Sequence, residues 1–391
     1  MPLDEPAAPP PAALEPEIRI SLFDGVTRPR VGAPGGLRVI DPDEGELAVL
    51  PPGTAVTAAV RGDLVILEGA GRTLSRRALV VRATDDGEPV EVNGRGYRGA
   101  LELGRGGDGV RVVNRLAMEE YLVGVVSAEM GRRTAQERAA LEAQAVAART
   151  YALRHLGRGG QGFDLVATVS AQVYHGTARE EPLAREAVAA TRGQILTWDG
   201  APIDAFYSST CGGHTESAGA VFVGGDRPYL PARPDVADDG TAWCAASPRF
   251  RWRERWTAQE LAAILRRTLA AEGLSTARAT DLREMRVLDR SGSGRIATLE
   301  LAGSAGRTPV RGSAIRRVLA TTGGGLLWSA DFTVRISRQG GRLERVEAEG
   351  RGSGHGVGMC QWGAIGRARA GQDYRTILTS YYPGTELVTV Y

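Results

Sequence analysis

The chain has 391 residues, so at roughly 150 residues per domain two or three domains are expected. Its residues are 42% hydrophobic and 24% charged, ample material for a packed core, and 48 basic against 46 acidic side chains leave a net charge of +2. That balance excludes a strongly basic nucleic-acid binder and an acidic disordered tail, and no run of about 20 apolar residues offers a bilayer span.

Residues 1–16, rich in Pro and Ala and acidic, read as a flexible, disordered lead-in. They lack the positive and apolar regions of a signal peptide, so no signal or anchor is visible here. From residue 17 to 110 short β-rich runs such as GLRVI, DLVILEG and ALVVRA are broken by turn signals, DDGE and NGRG among them. This stretch predicts a small all-β module without catalytic residues. A larger mixed domain is expected over 111–391, which makes the chain α+β.

The pattern changes at Asn114. NRLAMEEYLVGVV places Met118, Leu122 and Val125 on one helical face, and Gly131 stops the helix. Thr134-x-x-Glu137 is a capping box that opens a second helix, in which Leu141, Ala145, Ala148, Ala152 and Leu156 form a narrow apolar stripe. So many alanines predict a central, closely packed helix. Glu129 falls at the junction of the two.

Elements then alternate. A helix is predicted over Pro182–Thr191, strands at GQILTW and IDAFYSS, and a helix near Thr257–Leu269. A hairpin follows in MRVLDRSGSGRIATLELAG, then a helix and two strands. The Gly-rich RGSGHGVGMCQWGA, one helix and the strand ELVTVY close the chain.

Four segments concentrate the chemistry: VVSAEM, AQVYHG, YSSTCGGHTES and GSGHGVGMCQWGA. In this order, with LEAQAVAARTYAL and RPYL, they resemble the stage II sporulation protein D/amidase-enhancer family over roughly residues 90–391. The resemblance implies an extracytoplasmic protein of the bacterial cell wall. Sporulation members are lytic transglycosylases that cut peptidoglycan between N-acetylmuramic acid and N-acetylglucosamine, whereas others are non-catalytic enhancers of a cell-wall amidase. Glycan strands, and in the second case an amidase, would be the partners.

The family's catalytic carboxylate corresponds to Glu129. Glycosidic cleavage needs a carboxylic acid beside the bridging oxygen. A hydrolase would add a second acid, for which Asp204 and Glu216 are the nearest candidates. A lytic transglycosylase needs none, because the muramic acid's own 6-hydroxyl attacks. No cofactor is then required. Arg149, Gln172, Tyr174, Ser209, Thr215, His355 and Gln361 are the candidate substrate-binding residues, Arg149 either holding the acid–substrate geometry or contacting the lactyl carboxylate.

Three cysteines, Cys211, Cys244 and Cys360, leave three readings open. With His214, at Cys-x-x-His spacing, they would form a closed structural zinc site, with His355 as a substitute ligand. Two of them could instead form a disulfide, or all three could simply be buried. A metallopeptidase using His175, His214 or His355 lacks an HExxH helix.

Overall fold

The computed structural model describes residues 14–160, 162–168, 171–222, 224–275, 282–304 and 306–391, so most of the expected lead-in lies outside it. The protein is mixed α+β, a strand-rich N-terminal region preceding a larger mixed region. It forms two compact units: residues 1–204 with 386–391, and residues 205–385.

The first unit starts from two sheets packed face to face. One has seven strands, in the spatial order Leu165–Val166, Glu17–Val26, Gly109–Ala117, Ala100–Gly106, Leu79–Ala83, Leu37–Asp41 and Gly45–Leu50. The other has six, including Ala55–Arg61 and Leu64–Gly69, which meet the first sheet at Gly109–Ala117 and Ala100–Gly106. Alternation puts Val56, Ala58, Val65 and Leu67 into the layer between them, with Leu101, Leu103, Val110 and Val112 opposite.

Three helices follow: α1 (Met118–Met130), α2 (Arg138–His155) and α3 (Pro182–Ala190). The start of α1 corrects the sequence reading. Asn114 is not helical but lies in the strand that runs to Ala117, because residues 110–117 pair with Glu17–Val26 on one side and with Ala100–Gly106 on the other. The capping box forms as expected, Glu137 accepting the Thr134 backbone N–H at 2.9 Å, although the first turn it caps is 3-10. Burial of α2 is wider than a stripe. Every residue from Ala143 to Thr150 is buried, so neighbours cover the helix on all sides there, while Leu156 stays partly exposed. A short sheet completes the unit, with Gln194–Trp198 between Ala201–Pro202 and the C-terminal strand Glu386–Thr389.

The second unit has its own core of Trp256, Leu265, Leu299, Ile315, Phe332 and Val346. It is built on two three-stranded sheets, one of Arg251–Thr257, Arg342–Arg351 and Phe332–Gln339, the other of Leu282–Arg290, Ile296–Gly303 and Gly306–Arg311. The helix Ala258–Ala271 opens on a capping box at Thr257 and Glu260. The expected strand at IDAFYSS shrinks to Tyr207–Ser208, and the single closing helix becomes two, Gln361–Arg369 and Tyr374–Tyr381. Among the described residues no helix is long and apolar enough to cross a membrane.

Candidate functional site

Glu129 occupies the last turn of α1. The helix stops because Gly131 adopts φ 62°, a conformation open to glycine, and turns its N–H back to Ser127 O at 3.0 Å. The Glu129 side chain is half-buried, and its Oε1 accepts the backbone N–H of Val173 at 3.0 Å. The structure thus brings the VVSAEM and AQVYHG segments together inside the first unit.

The flanking residues Gln172 and Tyr174 do not project toward a ligand. Gln172 is fully buried; its Oε1 accepts Tyr121 OH at 3.0 Å, and its Nε2 donates to Ala148 O at 3.2 Å. Tyr174 is buried too and donates to Asn114 Oδ1 at 2.9 Å, its ring tilted against Tyr121 and Tyr97. In this arrangement both brace the backbone that holds Glu129. The Tyr174 ring needs a side-chain-free helix face, and a Cβ on Gly124 would stand 2.6 Å from Tyr174 Cε2. Gly124→Ala gains up to about 1 kcal/mol of helix propensity but overpacks at about 1–3 kcal/mol, so a lower Tm is expected by thermal denaturation.

Arg149 is likewise turned inward. It is fully buried and forks onto Glu119, Nε to Oε1 at 2.8 Å and Nη2 to Oε2 at 2.7 Å, which leaves no guanidinium face for a lactyl carboxylate. Asp204 is held by Arg154 at 2.5 Å.

In the second unit the two remaining segments lie side by side. Tyr207–Ser208 pairs in parallel with Met359–Cys360, and single bridges join Thr210 to Ser353 and Glu216 to Val357. Gly358 makes this possible: with φ 70°, it lies where a Cβ would be 2.0 Å from Phe206 O. Glu216 is buried and accepts from the Ser291 and Ser293 hydroxyls, the latter at 2.6 Å. Thr215 is buried on the carbonyls of Pro231 and Arg233, and Gln361 is buried at the start of its helix. Ser209 and His355 keep partial exposure.

His355 packs edge-on to Phe206 and Phe222, and its Nδ1 accepts the Val357 N–H at 3.0 Å, which requires an unprotonated nitrogen. Burial, with the charges of Arg316 and Arg295, lowers its pKa from 6.5 to about 3. The unfolded chain therefore takes up a proton below about pH 6.5 that the folded chain refuses until about pH 3. Stability from this residue is complete above that window and is lost as pH falls through it. A lower urea midpoint at pH 5 than at pH 7.5 is expected, with a smaller difference in His355→Gln.

The three cysteines converge. Each is a free, buried thiol, and Cys211 Sγ lies 3.7 Å from Cys244 Sγ. Asp235, absent from the sequence reading, stands where His214 was expected: its Oδ2 is 3.2 Å from Cys211 Sγ, whereas His214 turns its Nδ1 to Thr215 O at 2.7 Å. Hydrogen bonds from Cys211 and then Cys360 hold the Cys244 thiol well below its usual pKa, while those of Cys211 and Cys360 are pushed up. A separate cavity of about 830 Å³ is lined by Arg251, Arg253, Arg290 and Arg351, none singled out by motif.

The stage II sporulation protein family model matches residues 106–198, and a domain family of unknown function matches 239–358. The chain is 34% identical over 312 residues to an uncharacterized protein of Brachyspira hyodysenteriae, covering 79% of this chain and 76% of that one. It is 32% identical to stage II sporulation protein D of Bacillus subtilis, covering 70% and 75%. Similarity to the amidase enhancer of Bacillus subtilis is 29%, over 68% of this chain and 40% of that longer protein.

Proposed function

The chain belongs to the stage II sporulation protein D family, and from that premise we propose that it is a lytic transglycosylase acting on peptidoglycan, outside the cytoplasm, in cell-wall remodelling or sporulation. Glu129 is its general acid and then its base. Protonated Glu129 gives its proton to the oxygen bridging N-acetylmuramic acid and N-acetylglucosamine, and the glycosidic bond breaks. The 6-hydroxyl of the same muramic acid attacks C1, and the Glu129 carboxylate takes the proton this releases. The products are a 1,6-anhydromuramyl end and a free N-acetylglucosamine end, with no water consumed.

The observation that supports this reading is the setting of Glu129, the residue to which the family resemblance assigns the catalytic role: half-buried at the end of α1 and tied to the Val173 N–H of a loop braced by Gln172 and Tyr174. A carboxyl group fixed in this way loses little orientational freedom on reaching the bridging oxygen. The two acids considered as hydrolytic partners are engaged elsewhere, Asp204 by Arg154 and Glu216 by two serines, which favours the route that needs one acid.

Similarity to an amidase enhancer supports a second reading, a glycan-binding protein that activates a cell-wall amidase without cutting glycan itself. One experiment separates them. Purified protein is incubated with peptidoglycan, both intact and stripped of its stem peptides, and the soluble fragments are weighed by mass spectrometry. Anhydromuramyl ends support the transglycosylase; glycan retention without such ends supports the enhancer.

A further inference from the structure

We propose that Cys211, Cys244, Cys360 and Asp235 together bind one zinc ion as a closed structural site. The ligand atoms of these four buried residues all lie within 4.8 Å of one another. Zinc holds thiolates at about 2.3 Å, which places neighbouring sulfurs of a tetrahedron about 3.8 Å apart. The 3.7 Å between Cys211 and Cys244 matches that edge.

The Cys360 sulfur is also set up as a hydrogen-bond acceptor, as a metal-bound thiolate is. Cys360 Sγ accepts two backbone N–H groups, from Cys211 at 3.1 Å and Gly363 at 3.2 Å, the second at the first turn of the helix that Cys360 caps. Gly212 and Gly213, which follow Cys211, have positive φ, 78° and 97°, a tight curl of backbone that a pair of ordinary residues would resist. Asp235 is oriented from outside the cluster, by Arg367 on Oδ1 at 3.0 Å and by Tyr381 OH on Oδ2 at 2.9 Å. Outer partners of this kind fix metal ligands in place. Three thiolates and a carboxylate around a dication leave excess negative charge, and Arg367, with Arg295 on Cys211 O at 2.6 Å, offsets it.

A disulfide accounts for less. It would join two sulfurs and leave the third without a partner in a pocket built around all four side chains. The zinc ion instead fastens residues as far apart as Cys211 and Cys360, 149 positions along the chain. With four protein ligands it has no open position for substrate, so the inference is independent of the glycan chemistry proposed above.

The test uses the full chain purified without chelator. Elemental analysis is expected to give one zinc per chain. Unfolding in chelator and refolding with Co²⁺ is expected to produce an intense thiolate-to-cobalt charge-transfer band with the strength of three Co–S bonds. Cys360→Ser is expected to lower zinc affinity at least a hundredfold and Asp235→Asn at least tenfold. Because either variant could fail to fold, the cobalt spectrum of the unaltered chain decides alone. A metal-free protein with a Cys211–Cys244 disulfide in peptide maps overturns the proposal, as does a cobalt-refolded chain without the thiolate band.

Discussion

Glu129→Gln is expected to reduce formation of anhydromuramyl ends by about 10²–10⁴-fold, the usual worth of a positioned general acid, while binding to glycan strands is unchanged. The substitution is chosen for what it preserves. The amide has the carboxylate's shape, and its oxygen can still accept the Val173 N–H, so the loop braced by Gln172 and Tyr174 keeps its place. What is lost is the acidic proton and the carboxylate that takes it back. Initial rates of anhydromuramyl release by mass spectrometry, with cosedimentation on insoluble peptidoglycan, measure the two effects separately. Full turnover in the variant would remove Glu129 from the mechanism.

Arg149→Ala is expected to destabilise the protein by about 3–5 kcal/mol, the cost of breaking a buried ion pair by removing one partner. Arg149 is fully buried and joins four elements. It forks onto Glu119 of α1 from its place on α2, and it donates to Val188 O of α3 at 3.3 Å and to Gln194 O of the following strand at 3.1 Å. Alanine would leave Glu119 in the interior without its guanidinium partner and remove the Arg149 bond to the Gln194 carbonyl. Arg149→Lys does not rescue, since a single ammonium cannot reproduce the fork. Urea denaturation of both variants checks this. A sugar-contacting arginine would give the opposite pattern, intact stability with weakened glycan affinity.

Local chemistry made much of the fold legible. Both capping boxes, at Thr134 and Thr257, are written in four consecutive residues, and the Gly131 stop is written in one. Long-range pairing was harder to read. The apolar spacing of NRLAMEEYLVGVV continues unbroken across Ala117, so only the partner strand Glu17–Val26 reveals where extended chain gives way to helix. Glu15 is another case: from within the expected lead-in its Oε1 accepts the Glu119 N–H at 2.8 Å, supplying the first turn of α1 with the cap that Ala117 cannot.

The candidate site divides in the same way. Motif order located Glu129 and the three cysteines, because their chemistry is uncommon and their segments are dense in it. It did not separate polar side chains at the surface from those that hydrogen-bond indoors, and Gln172, Tyr174, Thr215 and Arg149 are all buried. Asp235 went unseen for a simpler reason. In RPDVADD it reads as one acid of a turn, and only the fold sets it against Cys211.

The strand Glu386–Thr389 pairs with Gln194–Trp198, and Tyr391 OH reaches Glu119 Oε1 at 2.6 Å. At a translation rate of about 5–20 residues per second, the nascent polypeptide waits about 10–40 s between emergence of the first of these strands and arrival of its mate. Throughout that interval an edge strand beside α2 is uncapped. A chaperone that shields this edge, or secretion of the chain before it is sealed, would find its opening there.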